Sequence, residues 1–173
     1  MSKRDLKKYL DQLNQDQLKD QIIALYEKFG PVKVYYDFVF DPKEASLLQQ
    51  AKLKISQEYY PLQTSSRKKK PKMRRSVAQN TIKHFLLLGV DPYIVMDIML
   101  YNLEIAQTFA SENPIKQPLF YKSMGNSFEQ AVHYAVANGV LKDFESRINT
   151  IFQEVVAQKW QNQFQLEAIM ERI

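Results

Sequence analysis

The chain has no cysteine and only four glycines among its 173 residues. The first absence excludes a disulfide framework, a thiolate nucleophile and any Cys-ligated zinc or iron–sulfur cluster. It also suits a reducing compartment, which points to the cytoplasm. The glycines, Gly30, Gly89, Gly125 and Gly139, never gather into a loop that could cradle a nucleotide phosphate, and three of them (30, 89 and 139) read as helix stops. Long apolar runs are missing as well. The longest, residues 85–90 with Gly89 inside it, falls far short of the roughly 18 to 20 residues that span a bilayer. Nor does Met1-Ser2-Lys3-Arg4-Asp5-Leu6-Lys7-Lys8 contain the apolar stretch of a signal peptide. The expectation is a soluble protein with no membrane partner. Of the two histidines neither stands in a His-Glu-x-x-His spacing, and no serine sits in a Gly-x-Ser-x-Gly elbow. Composition and motifs thus favour a non-enzymatic protein without a cofactor.

What is present is enough for a real core. Hydrophobic residues make up 45% of the chain, with ten Phe, ten Tyr and one Trp, and the length suits a single domain over residues 1–173. Helical spacing dominates. Leu6, Tyr9, Leu10 and Leu13 mark a first helix; Leu18, Ile22, Leu25, Tyr26 and Phe29 mark a second, with Asn14 placed to cap it and Gly30-Pro31 to end it. Residues 32–40 fit a strand by alternation and a helix by spacing; a lone strand would have no partner, which favours the helix. Asp41-Pro42-Lys43-Glu44 reads as a helix start, Ser76 and Gln79 as a capping box, and Asp91-Pro92 as a third start. The helix over residues 92–110 is apolar around nearly its whole circumference, so it belongs at the centre. Two further stripes follow, ending at Gly139 and Val155, after which the pattern weakens around Trp160 and Phe164. The reading is an all-α bundle of seven or eight helices around residues 92–110, with the first sixty residues as an extra layer.

Charge is concentrated. Arg67, Lys68, Lys69, Lys70, Lys72, Arg74 and Arg75 place seven of the 24 basic residues in one short stretch, and the remaining 17 are outnumbered by 19 acidic residues. The net charge of +5 therefore reports one segment, expected to be a flexible basic loop over residues 61–75. Such a segment fits nucleic acid or another polyanion through its phosphates, whereas the bland reading is a solvated loop. Aromatic residues are not interleaved with the basic ones, which disfavours stacking on single strands.

A second candidate is a polar stripe on the central helix, Asp97, Tyr101 and Glu104, with His84 as a possible third ligand or proton carrier. The two carboxylates are two turns apart, about 10 Å along the axis, too far to share an ion unaided. The plainer reading makes them the salt-bridged edge of a buried helix, facing Lys83 or Arg74. His133 is expected on a polar face beside Glu129. Trp160, Phe164, Leu166, Ile169, Met170 and Ile173 fall off the main stripe, so they either fold back or form a homo-oligomer or protein interface.

Arg74-Arg75-Ser76-Val77-Ala78-Gln79, followed by Ile82-Lys83-His84-Phe85, Gly89-Val90-Asp91-Pro92 and Asp97-Ile98-Met99-Leu100, resembles a family of small uncharacterised bacterial proteins. Ser2-Lys3-Arg4-Asp5-Leu6-Lys7-Lys8-Tyr9-Leu10 and Tyr35-Tyr36-Asp37-Phe38-Val39-Phe40-Asp41-Pro42-Lys43-Glu44 carry the same likeness, which covers most of the chain. The resemblance implies a bacterial source and one small domain of unknown function. It implies no activity.

Overall fold

The computed structural model describes residues 2–63 and 69–173, and among these the regular structure is entirely helical: nine helices and no strand. Two compact units emerge, residues 1–43 and 44–173, and each is described by itself.

The first unit contains α1 (Lys3–Leu10), α2 (Gln15–Lys28) and α3 (Gly30–Phe40). Ser2 and Asn14 each form a capping box, with Asp5 and Gln17 respectively, so the orphan amides at both helix starts are satisfied locally. The ambiguous residues 32–40 are helical. Gly30 does not end α2 as its type suggested: α2 closes on Phe29 in an extended conformation, and Gly30 opens α3 with Pro31 beside it. Proline fixes φ near the helical value and lacks the amide that a first turn leaves unpaired, so it starts a helix as readily as it stops one. Asp41 likewise caps the end of α3, and the next helix starts three residues later. Tyr26 donates its hydroxyl to Asp37 at 2.7 Å across α2 and α3, yet no side chain of these three helices is buried.

The second unit is built around α6 (Pro92–Glu112). It also comprises α4 (Glu44–Tyr59), α5 (Arg75–Leu88), α7 (Pro118–Ala137), α8 (Leu141–Ala157) and α9 (Gln163–Met170). Asp91 caps α6 by accepting from the Tyr93 amide at 2.8 Å, and Pro92 opens the helix as the sequence foretold. α6 packs against α4, α5, α7 and α8 at once. Val95, Met96, Ile98, Leu100 and Ala106 are fully buried, and each large aliphatic among them contributes about 1.5–3 kcal/mol of burial free energy before its entropic cost. α4 is therefore a member of the bundle and not part of an outer layer. The polar atoms at the centre are placed too: Gln107 donates to the Ile151 carbonyl of α8 at 2.7 Å.

Gly89 and Gly139 do end helices, with φ of 71° and 69°. Gly125 has another use. A Cβ there would collide with the Gln165 side chain, because the C-terminal segment crosses α7 at this point. That segment supplies the ninth helix. Trp160, Leu166 and Ile169 are buried against the bundle, with Trp160 packed edge-on to Phe120 and Tyr121, while Phe164 and Ile173 face outward. Among the described residues no helix is long and apolar enough to cross a membrane.

Candidate functional site

Two polar constellations occupy the second unit, and Glu58 organises the first. On α4 it stands in register with the buried Ala51, Ile55 and Tyr59, so a carboxylate is carried into an apolar stripe. A carboxylate there requires a partner. Arg74 supplies it with a two-pronged guanidinium contact, Nε to Oε2 at 2.9 Å and Nη2 to Oε1 at 2.7 Å, and the Arg74 backbone amide adds a third bond at 3.1 Å. The Glu58 carbonyl meanwhile accepts from the amides of Lys72 and Met73. The Arg74 hydrogen bond chiefly, against the opposing effect of burial, holds the Glu58 carboxyl below its usual range. Met73 takes φ of 49°, a left-handed conformation that is strained for a residue with a Cβ and is held by this docking.

The basic segment is accordingly anchored where it is described. Gln63 adds a clasp: its Oε1 accepts from the Lys69 amide at 3.0 Å and its Nε2 donates to the Lys69 carbonyl at 3.2 Å. Arg67 and Lys68 lie outside the described residues. Lys69, Lys70, Lys72 and Arg74, joined by Lys54 of α4, line one open cleft of about 770 Å³, with Gln57, Pro61, Leu62, Pro71 and Val77 as its remaining walls besides Glu58. Among the described residues five cations face one carboxylate, and that carboxylate is already bound to Arg74. Arg75, half-buried at the first position of α5, does not line the cleft. Ser76 is not the cap of α5: the extended Arg74, fixed by Glu58, takes the cap position without a side-chain hydrogen bond.

The second constellation gathers Asp97, Tyr101 and Glu104 of α6, Lys52 of α4 and Arg147 of α8. Arg147 spans the two carboxylates, with Nη1 on Asp97 at 2.6 Å and Nη2 on Glu104 at 2.7 Å, while Lys52 meets the other Asp97 oxygen and lies 5.3 Å from the Tyr101 ring centre. The partners are thus Arg147 and Lys52, not Lys83 or Arg74. Burial alone would raise the Asp97 carboxyl, but Lys52 and Arg147 together hold it below its ordinary value. Glu104 chiefly, then Asp97, pushes the Arg147 guanidinium higher still, against its partial burial. His84 stays on the exposed side of α5, and His133 is exposed on α7 with no ion pair to Glu129 among the described contacts. Among the described residues no three His, Asp or Glu side chains lie close enough to hold a metal. The stripe is a neutralised joint between three helices.

Glu58, Lys52, Lys54 and Arg147 were not singled out by sequence. Glu58 and Arg147 did carry a signal, since each interrupts an otherwise apolar helical stripe, and a charge in such a place demands an opposite one across the interface.

One family model matches residues 1–173 and bears the description "Family of unknown function (DUF6155)". No curated protein and no solved structure matches the chain.

Proposed function

Since the chain belongs to that family of unknown function, whose description assigns chemistry to no residue, we propose a role from the geometry alone: a non-enzymatic protein that binds a polyanion such as nucleic acid in the cleft between α4 and the segment leading into α5. The setting is taken to be a bacterial cytoplasm. The single observation that carries the reading is the lining of that cleft, where Lys54, Lys69, Lys70, Lys72 and Arg74 converge on a space of about 770 Å³ and, among the described residues, the paired Glu58 alone opposes them. The start of α5, which has no side-chain cap, adds the positive end of a helix dipole to the same wall. Bound phosphates would release counterions, so affinity must fall with salt.

Fluorescence anisotropy with a labelled oligonucleotide tests this. With four lysines engaged, the logarithm of affinity should fall against the logarithm of salt with a slope of about −3, given ~0.7 to 0.9 per phosphate. Replacing Lys54, Lys69, Lys70 and Lys72 by Gln should flatten that slope and abolish most of the affinity. Arg74 is left intact because removing it would strand Glu58. Salt-independent binding, or none at low salt, dismisses the reading.

A further inference from the structure

Beside the cationic cleft lies a smaller one of about 310 Å³, lined by Tyr59, Tyr60, Phe109, Asn113 and Gln63 and sharing Pro61, Lys69 and Pro71 with its neighbour. We infer that the occupant of the pair is a single-stranded nucleic acid, its phosphates among the lysines of the larger cleft and one base laid on the Tyr60 ring in the smaller. The inference rests on the polyanion reading above and deepens it.

Three observations support the division of labour. Tyr60 keeps 38% of its surface exposed, whereas Tyr59 and Phe109 beneath it retain only 4% and 7%. Its orientation is fixed at two points: the hydroxyl donates to Glu112 at 2.8 Å, and the ring meets Phe109 edge-on with centroids 5.5 Å apart. A platform held in advance loses little freedom when a flat ligand settles on it. Finally, the charge changes between the two clefts. Among the described residues the larger holds five cations, while the smaller holds Lys69 alone and has the Glu112 carboxylate at the Tyr60 hydroxyl, which repels a phosphate but not a base.

Aromatic faces stack with any base, but only one released from pairing and stacking can lay its face there. Duplex DNA offers phosphates and no free base. The sequence hid this arrangement because the aromatic residues come from the end of α4 and from α6, not from within the basic run.

The test compares, with the full chain and at matched salt, a labelled oligothymidine of about 12 nucleotides, within the ~4–16 nucleotide sites of single-strand binders. Its competitors are a duplex of equal length, an abasic strand of equal length and heparin. The thymidine strand should bind about tenfold more tightly than the abasic strand. Tyr60→Ala should remove that advantage without changing the salt slope, and Tyr60→Phe should keep it, with helicity checked by circular dichroism. The abasic comparison needs no variant, so it stands even if Tyr60→Ala misfolds. Equal affinity for thymidine and abasic strands, or a Tyr60→Ala loss shared by duplex and heparin, overturns the stacking inference and leaves the polyanion reading in place. No salt-sensitive binding to any of the four overturns both.

Discussion

Arg147 shows how much a single side chain carries in this bundle. It holds Asp97 and Glu104, two turns apart on α6, and removing it would leave Asp97 with Lys52 alone and Glu104 with no ion-pair partner among the described residues. Breaking a fully buried ion pair costs about 3–5 kcal/mol, and with the Arg147 side chain 30% exposed the cost of Arg147→Met should be nearer ~1–3 kcal/mol at neutral pH, read from urea unfolding. The same experiment across pH has a defined sign. The Asp97 carboxyl lies below its unfolded value, so its pairing stabilises the fold fully above the ordinary carboxylate range, near ~4, and that share is lost as pH falls through the depressed value. The gap between wild type and Arg147→Met should therefore narrow on acidification. A gap that widened in acid would show that the pairing is not what stabilises this joint. The acidic stripe itself was legible in the sequence as the polar edge of a buried helix. Its partners were not, because helical spacing shows which residues share one helix face and says nothing of which helix lies opposite.

At the scale of the element, helix punctuation is legible in the sequence where a residue has one use and ambiguous where it has two. Asp91-Pro92 and Gly89 behave as their chemistry dictates, whereas Gly30-Pro31 opens α3 instead of ending α2 and Asp41 ends α3 instead of capping α4. Proline can follow one helix and open another, and only the backbone of Phe29 decides between them. The C-terminal segment folds back, one of the two outcomes its off-stripe apolar residues allow, and those residues fit no continuous stripe because Trp160 packs before α9 begins. It is nevertheless a structural part of the core. Trp160 is 4% exposed between Phe120 and Tyr121, so Trp160→Ala should destabilise by about 3–5 kcal/mol and lower the thermal midpoint seen by circular dichroism. A midpoint within error of wild type would mean that this segment is not packed as described.

Across the whole molecule the contrast is between a unit that buries a core and one that does not. Among the described residues every buried side chain lies in 44–173, while Leu6, Ile23, Phe29 and Phe40 in residues 1–43 are all exposed. A chain that buries too little apolar surface cannot offset its conformational entropy. Residues 44–173 expressed alone should thus keep a cooperative thermal transition and a blue-shifted Trp160 emission, and residues 1–43 alone should show only partial, non-cooperative helicity. Failure of the longer fragment to fold would place part of its stability in the N-terminal unit.

Apolar contacts are indifferent to a slip of one turn, since one ridge of leucines fits a groove much as the next does. The bonds between α6 and α8 are not indifferent. Arg147 engages α6 at positions 97 and 104, and Gln107 reaches the Ile151 carbonyl further along, so a shift in either direction would strand all of these groups together. With Tyr93 donating to Asp143 near the start of both helices and Gln158 donating to the Gln107 carbonyl past the end of α8, a slip of one helix along the other would break polar bonds along their whole shared length.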